Sequence, residues 1–466
     1  MPGPVTDWLW AAAAATYVLA QLLLAVYSSH RYLVMWRWWR RRRVSEAGVE
    51  PRLESWPSVT VQLPVFNERA VVERLIDVVA ALDYPRDRLE IQVLDDSTDD
   101  TRDYVAAAAE RHRRQGTRIR HLHRPERTGY KAGALAAGLA QAGGELIAVF
   151  DADFVPQRDF LRRMVPRFVD PGLGMVQARW GHLNRDRSWL TAAQATMLDS
   201  HFLLEHPARM HSGLFFNFNG TAGIWRRRCI EDAGGWSCDT LTEDLDLSYR
   251  AQLKGWRFAF ACDVEAPAEL PSDLEALKSQ QRRWAKGSIQ TARKLLPAVW
   301  RSPLPLPVKL EAFFHLTSNC CYPLLLSLAL LLLPVLLGPA STPPWAQWLL
   351  QAAVLVFGVV PVLVFLAAGQ RAAGGTPGRA LRDVAAALVL GIGLSLNNAR
   401  AVVAGLGSEL GDWERTPKTG EGAGSRQAAR QYCSPRAWAG RSELLLAAYF
   451  CVLGVVIGRE GMFRAL

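Results

Sequence analysis

The chain has no CxxC pair. Its seven cysteines are odd in number and scattered, with only Cys320 and Cys321 adjacent. Such cysteines indicate neither a disulfide framework nor a zinc site, and they suit a reducing compartment for the soluble part. The net charge is +10, yet no zinc-finger spacing, RNA-binding aromatic signature or basic-helix pattern accompanies it, so nucleic acid is not an expected partner. No internal repeat is apparent. Charge is absent from long runs near both ends of the 466 residues, while the middle mixes charged and apolar residues in ordinary proportion. That division predicts a membrane protein with a soluble insert.

Trp8 to Tyr27 carries no charge over twenty residues, enough at ~1.5 Å per residue to cross a hydrocarbon core of about 30 Å. Asp7 precedes the run and "RWWRRRR" (Arg37 to Arg43) follows it, unlike a cleaved secretory signal. The expectation is an uncleaved anchor with its N-terminus outside and everything after Arg43 cytoplasmic. Basic residues near such boundaries suit contact with an anionic lipid bilayer. Cys320 to Leu337 and Trp348 to Ala368 read as two further spans. Val384 to Gly405 contains Asn397, Asn398 and Arg400, costly against lipid, and reads as an interfacial or re-entrant helix. By parity, the following loop with "DWERTPKTG" then lies on the same side as the soluble middle of the chain. Leu444 to Ile457 is only fourteen residues, short for a span.

From Pro57 to Asp153, strand-like "SVTVQLPV", "LEIQVLDDS", "RIRHLHR" and "ELIAVFDAD" alternate with helix-like segments, the pattern of an α/β parallel sheet. Ligands bind such sheets beyond the carboxyl ends of the strands, where "DDS" (95 to 97) and "DAD" (151 to 153) fall. Asp151 and Asp153, at i and i+2 of an extended strand, would point to one side and offer oxygens to Mg²⁺ or Mn²⁺ holding a diphosphate. The plainer alternative is a solvated acidic turn. Asp99 and Asp100 read as helix caps, whereas Asp95 and Asp96 sit where a carboxylate could accept a nucleobase proton. "TEDLDL" places Glu243, Asp244 and Asp246 at the front of a helix. They are either a dipole-stabilising charge cap or the source of a general base. "QQRRW" offers Gln280, Arg283 and Trp284 for a phosphate and a sugar face, with Arg282 read as a membrane-surface charge.

Taken in order, "PVFNE", "QVLDDSTDDT", "YKAGAL", "FDADF", "FNFNGTAGIWR", "TEDLDL" and "QQRRW" resemble the membrane-embedded family 2 glycosyltransferases. The match is nearest the cellulose-synthase-like A and C proteins of the β-mannan and glucan synthase type. The resemblance implies a GT-A (Rossmann-like) catalytic domain inverting the anomeric carbon of a nucleotide sugar, GDP-mannose or UDP- or GDP-glucose. It implies that Phe66, Asp95 and Asp96 line the nucleobase pocket and that Lys131, Gln280 and Arg283 approach the diphosphate. Asp151 and Asp153 would belong to the Mg²⁺ or Mn²⁺ site, Asp244 would be the base with Glu243 beside it, and Trp284 would hold the acceptor sugar. Phe218, Asn219, Gly220 and Thr221 would flank the acceptor channel, and Thr416 and Lys418 would lie in a gating loop. The expected organisation is an anchor and basic segment at 1–43, the GT-A domain at 44–305, transmembrane and interfacial helices at 306–405, a gating-type loop at 406–440 and a C-terminal membrane segment at 441–466. The acceptor is a glycan in a processive, export-coupled reading, a lipid or lipid carrier in a non-processive one. An inactive transporter or scaffold is the reading from another class.

Overall fold

The apolar runs become the centre of one sheet in the computed structural model, which describes residues 4–41, 53, 55–337, 343–407, 411, 420 and 440–460. Strands β1 (Val59–Val65), β2 (Leu89–Asp95), β3 (Ile119–His123) and β4 (Leu146–Val149) run parallel. Then β5 (Leu173–His182), β6 (Gly223–Arg226) and β7 (Arg257–Ala268) complete a seven-stranded sheet of order β3-β2-β1-β4-β6-β5-β7. Strand β6 is antiparallel to both β4 and β5, so the parallel sheet expected over 57–153 continues into a mixed one. At four residues, β6 is too short to show a period in the sequence.

Alternation sends successive side chains to two separate cores. Val59, Val61, Leu63 and Val65 join Ile91 and Val93 on one face, whereas Ile147 and Val149 meet Leu94, Trp225 and Phe260 on the other. With both faces covered, the strands read as uninterrupted apolar runs. Their parallel carboxyl ends share one edge, and the motif acids cluster there.

Among the described residues, four helices are long and apolar enough to cross a membrane: Trp8–Arg41, Leu306–Leu337, Trp348–Ala372 and Gly440–Gly458. The first belongs to a 38-residue helix, Pro4–Arg41, about 57 Å at 1.5 Å per residue. It therefore continues well past the apolar run that ends at Tyr27. The last helix, Gly440–Glu460, has 21 residues because polar turns extend the short apolar run at both ends; Glu443 in its first turn pairs with Lys278 at 2.7 Å. Pro377–Gly393 and Ser395–Leu406 form a pair bent by 51°. In the second of these, Asn398 is fully buried and Asn397 donates to the Lys278 carbonyl at 3.0 Å. Asn397 thus faces the helix Leu274–Arg301 that carries Lys278.

One carboxylate ties these layers together. Glu311, 1% exposed, lies 2.5 Å from Arg37 Nη1, 3.0 Å from His30 Nε2 and 3.0 Å from Arg209 Nε. The first helix, the helix at Leu306 and the catalytic domain meet on it. A buried pair broken on one side leaves its partner's charge uncompensated. Glu311→Ala should therefore destabilise the protein by about 3–5 kcal/mol, measured as denaturant unfolding in detergent, with Glu311→Gln losing less.

Candidate active site

The three acids of the "TEDLDL" helix (Glu243–Leu253) have different fates. Asp246 is fully buried and paired with Arg250 at 2.7 Å and Lys294 at 2.8 Å, so its role is structural. Glu243 and Asp244 instead line a cavity of about 140 Å³ with Lys131, Asp151, Asp153, Asn219, Gly220, Gln280, Arg283 and Trp284. Burial and the neighbouring Glu243 charge push the Asp244 carboxyl up to about 7. Burial also raises Glu243, against the pull of Lys131. A helix N-terminus by itself would favour the ionised form; here desolvation outweighs it.

Opposite these acids, β4 ends at Val149. Asp151 and Asp153 therefore do not share a side of an extended strand. They sit in a turn closed by the Phe154 N–H on the Asp151 carbonyl at 3.1 Å, and it is this turn that brings both to the cavity. Lys131 Nζ donates to Asp151 Oδ1 at 2.5 Å and to the Gly220 carbonyl at 2.9 Å, and lies 4.0 Å from Glu243. Burial alone would lower the lysine's pKa, but the Asp151 and Glu243 charges more than offset it and hold the ammonium protonated. Two carboxylates on one cavity wall form a hard oxygen donor set, which fits Mg²⁺ or Mn²⁺.

The "FNGT" segment divides across the cavity wall. Gly220, at φ +81°, passes so close that a Cβ would lie 3.0 Å from Asp244 Oδ2. Asn219 is held by His206 at 2.8 Å and by Gln177 at 2.9 Å. Thr221 Oγ1 accepts the Asp151 N–H at 2.8 Å, orienting the acidic turn from behind. Phe218 does not face the cavity as expected. It is fully buried against Trp225 and Trp236, because the aromatic core beneath β6 takes its ring.

Gln280, Arg283 and Trp284 lie at i, i+3 and i+4 on one face of the helix Leu274–Arg301, and all three reach the cavity. Arg282, between them, is exposed. Burial lowers the Arg283 pKa, and Glu243, Asp151 and Asp244 oppose that shift. This helix lies close against the start of the acidic one: at Gly287 a Cβ would meet the Thr242 side chain at 2.5 and 2.8 Å and its backbone N at 3.0 Å. Gln290 accepts the Leu241 N–H at 3.0 Å.

The expected nucleobase residues form a second cluster. Asp96 accepts a bidentate fork from Arg124 at 2.7 and 2.6 Å, and the Arg127 guanidinium lies 3.5 Å from the Phe66 ring centroid. Asp95 accepts from the Ser97 N–H at 2.8 Å and lies 2.8 Å from His121. Sequence reasoning missed these cationic partners. It also missed Glu68, Trp180, His182 and Glu269, which line the cavity; only Glu68 had a signal, the end of "PVFNE". Thr416 and Lys418 lie outside the described residues. Of their loop, Gly420 donates its N–H to Glu269 at 3.1 Å, and a Cβ there would meet the Ala70 carbonyl at 2.5 Å. The non-glycine residues with positive φ among those described are Asn67, Tyr130 and Ala222. Each adjoins a site residue, the distribution that backbone strain at functional sites follows. A larger cavity, about 500 Å³, lined by Arg167, Met210, Phe216 and Arg257, contains none of the motif acids.

Residues 57–287 match the model of a family described as Glycosyltransferase like family 2. Glucomannan 4-beta-mannosyltransferase 2 of Arabidopsis thaliana is 36% identical over 390 residues, covering 80% of this chain and 69% of that protein. Glucomannan 4-beta-mannosyltransferase 1 of Oryza sativa subsp. japonica is 44% identical over 253 residues, 53% of this chain and 49% of that protein. Among solved structures, the mannosyltransferase PcManGT from Pyrobaculum calidifontis, in complex with GDP-Man and Mn2+, superposes with a TM-score of 0.56 at 25% identity. It covers 80% of this chain and 99% of the other. The chain belongs to the family 2 glycosyltransferases, among their cellulose-synthase-like membrane members.

Proposed function

We propose that this protein transfers a hexosyl group, mannosyl first among the choices, from a GDP-sugar to a growing β-linked polysaccharide, with inversion. The observation that carries the reading is one cavity in which Asp244 faces Lys131, Asp151 and Asp153, with Arg283 and Trp284 alongside. Asp244 takes the proton of an acceptor hydroxyl, whose oxygen forms the new bond to the anomeric carbon. The bond from that carbon to the diphosphate oxygen breaks, and the electron pair leaves with the nucleoside diphosphate. Lys131 and Arg283 offset the charge that develops on the leaving group. Asp151 and Asp153 would hold Mg²⁺ or Mn²⁺, which adds charge neutralisation at the diphosphate. Trp284 offers a flat apolar face to the acceptor sugar.

Phe66, Asp95 and Asp96 border the nucleobase in this reading, and a base stacking on the Phe66 face that Arg127 covers would displace that guanidinium. Asn219 and Gly220 flank the acceptor directly, with Phe218 and Thr221 supporting them. The catalytic domain faces the cytoplasm, and the segment with Thr416 and Lys418 gates the donor side. The anchoring of Gly420 on Glu269, itself a cavity residue, supports that placement. The same set of motifs supports processive synthesis with export. Incubation with a panel of nucleotide sugars and either cation, followed by linkage and length analysis, tests the whole reading. Long β-linked mannan from GDP-mannose is expected; single additions to lipid would replace the processive reading.

Asp244→Asn should lower transfer by about 10²- to 10⁴-fold while GDP binding persists; near-normal transfer removes Asp244 from the base role. A base raised to about 7 is protonated, and idle, below that pH, so kcat/KM should rise with pH through an acidic limb near neutrality. Glu243→Gln removes one of the charges that raise Asp244 and should move that limb to lower pH. Asp153→Ala should abolish the cation dependence of nucleotide binding, read by calorimetry with and without Mn²⁺.

A further inference from the structure

Strand β3 carries an alternation the catalytic reading does not use: His121 and His123, two residues apart, lie on one side of the strand. Their neighbour on β2 is Asp95, paired in register with His123. Asp95 is fully buried, with Oδ2 lying 2.8 Å from His121 Nε2 and 3.5 Å from His123 Nδ1. A ligand atom from each residue lies within 4.8 Å of the other two.

We propose that Asp95, His121 and His123 bind a divalent cation of the Zn²⁺ class, at a site separate from the Asp151 and Asp153 pair. Four observations carry this. First, the donor set is two imidazoles and one carboxylate, which suits zinc and its transition-metal neighbours, whereas Mg²⁺ takes oxygen ligands. Second, the spacing fits. Tetrahedral zinc with bonds of about 2.0–2.1 Å places its ligand atoms roughly 3.3–3.4 Å apart; the Asp95 to His123 separation is already 3.5 Å, and His121 need retreat by only about half an ångström. Third, His123 Nδ1 is buried and makes no hydrogen bond, so the cluster holds an unsatisfied nitrogen beside a carboxylate oxygen. A cation between them satisfies both. Fourth, Asp95 is supported from behind, since its other oxygen, Oδ1, accepts the Ser97 N–H at 2.8 Å, the kind of outer contact that fixes a metal-binding carboxylate.

The two imidazoles are 15% and 22% exposed, which gives the ion a path from solvent and leaves room for a water ligand. None of the three residues lines the cavity that contains Asp151 and Asp153. Because β3 is the outermost strand on its side of the sheet, an ion here would pin the sheet edge to the end of β2. Asp96 and its Arg124 partner follow directly in sequence.

The test uses the full chain in detergent, stripped with a chelator, loaded with Zn²⁺, dialysed and assayed for bound metal. The expected result is one tightly held equivalent per chain that survives in Asp151→Ala/Asp153→Ala. It should be absent from His121→Gln/His123→Gln, and either single change should weaken binding about tenfold or more. Cooperative thermal unfolding in detergent, followed by tryptophan fluorescence, reports that each variant is folded. In the unaltered protein, Zn²⁺ should protect His121 and His123 from diethyl pyrocarbonate, located by mass spectrometry. Co²⁺ loading should give visible absorption of a low-coordinate, imidazole-bound ion. No tight equivalent in the unaltered protein, no protection of the two histidines, or loss of the equivalent with the Asp151 and Asp153 changes would each overturn the proposal. Metal content is read without any transfer assay, so this result stands apart from the fate of the glycosyltransferase reading.

Discussion

Charge balance around the Lys131 ammonium organises the catalytic cavity. Asp151, Glu243 and Asp244 converge there from separate elements, and in a partly desolvated space their mutual repulsion would drive them apart or neutralise them. Lys131 contacts Asp151 and approaches Glu243, while its third direction is taken by the Gly220 carbonyl. A single side chain thereby fixes the turn after β4, the loop containing Gly220 and the acidic helix relative to one another. Arg283 supplies the second cation from a fourth element. Burial, with the Glu243 charge beside it, raises the Asp244 carboxyl, while Asp246, two residues on, is locked in ion pairs.

The same economy joins the catalytic domain to the membrane helices. Glu311 gathers partners from the first helix and from the domain, and Asp199 does the equivalent on another side. Asp199 lies 3.0 Å from the cavity residue His182 and accepts from Arg185 and from Gln370 at 3.2 Å. A nearby apolar cluster in which Leu190, Ala193 and Leu277 meet Phe365, Leu366 and Val384 fills the space between. Buried charges that need partners on both sides make the domain and the helices one unit, since separation would leave each carboxylate or guanidinium unpaired.

Much of the fold was legible because its strands are buried on both faces and announce themselves as apolar runs, and because helical spacing places Gln280, Arg283 and Trp284 together without further information. The site was legible as a set of motifs but not as a geometry. Nothing local shows that β4 stops two residues before Asp151 and hands both acids to a turn. Nor does the "FNGT" pattern reveal which of its residues turn inward, since the fate of Phe218 depends on Trp225 and Trp236. Arg124, Arg127, His121 and His123 were invisible for a related reason: their partners lie on the adjacent strand or loop, and cross-strand register is a long-range property. The antiparallel β6 escaped because it is four residues long.

Gly287 carries a consequence for how such a catalyst can diverge. The helix bearing Gln280, Arg283 and Trp284 touches Thr242, immediately before Glu243 and Asp244, at a point where even a methyl group has no room. The gap between the Asp244 carboxylate and the Arg283 guanidinium is thus set by the Gly287 backbone lying against the short Thr242 side chain and its backbone nitrogen, not by the reach of a long side chain. In the proposed reading, changes at Gln280 or Trp284 retune which sugars bind while that span stays constant. One extra carbon at 287 would widen the span itself, and every donor and acceptor would feel it at once.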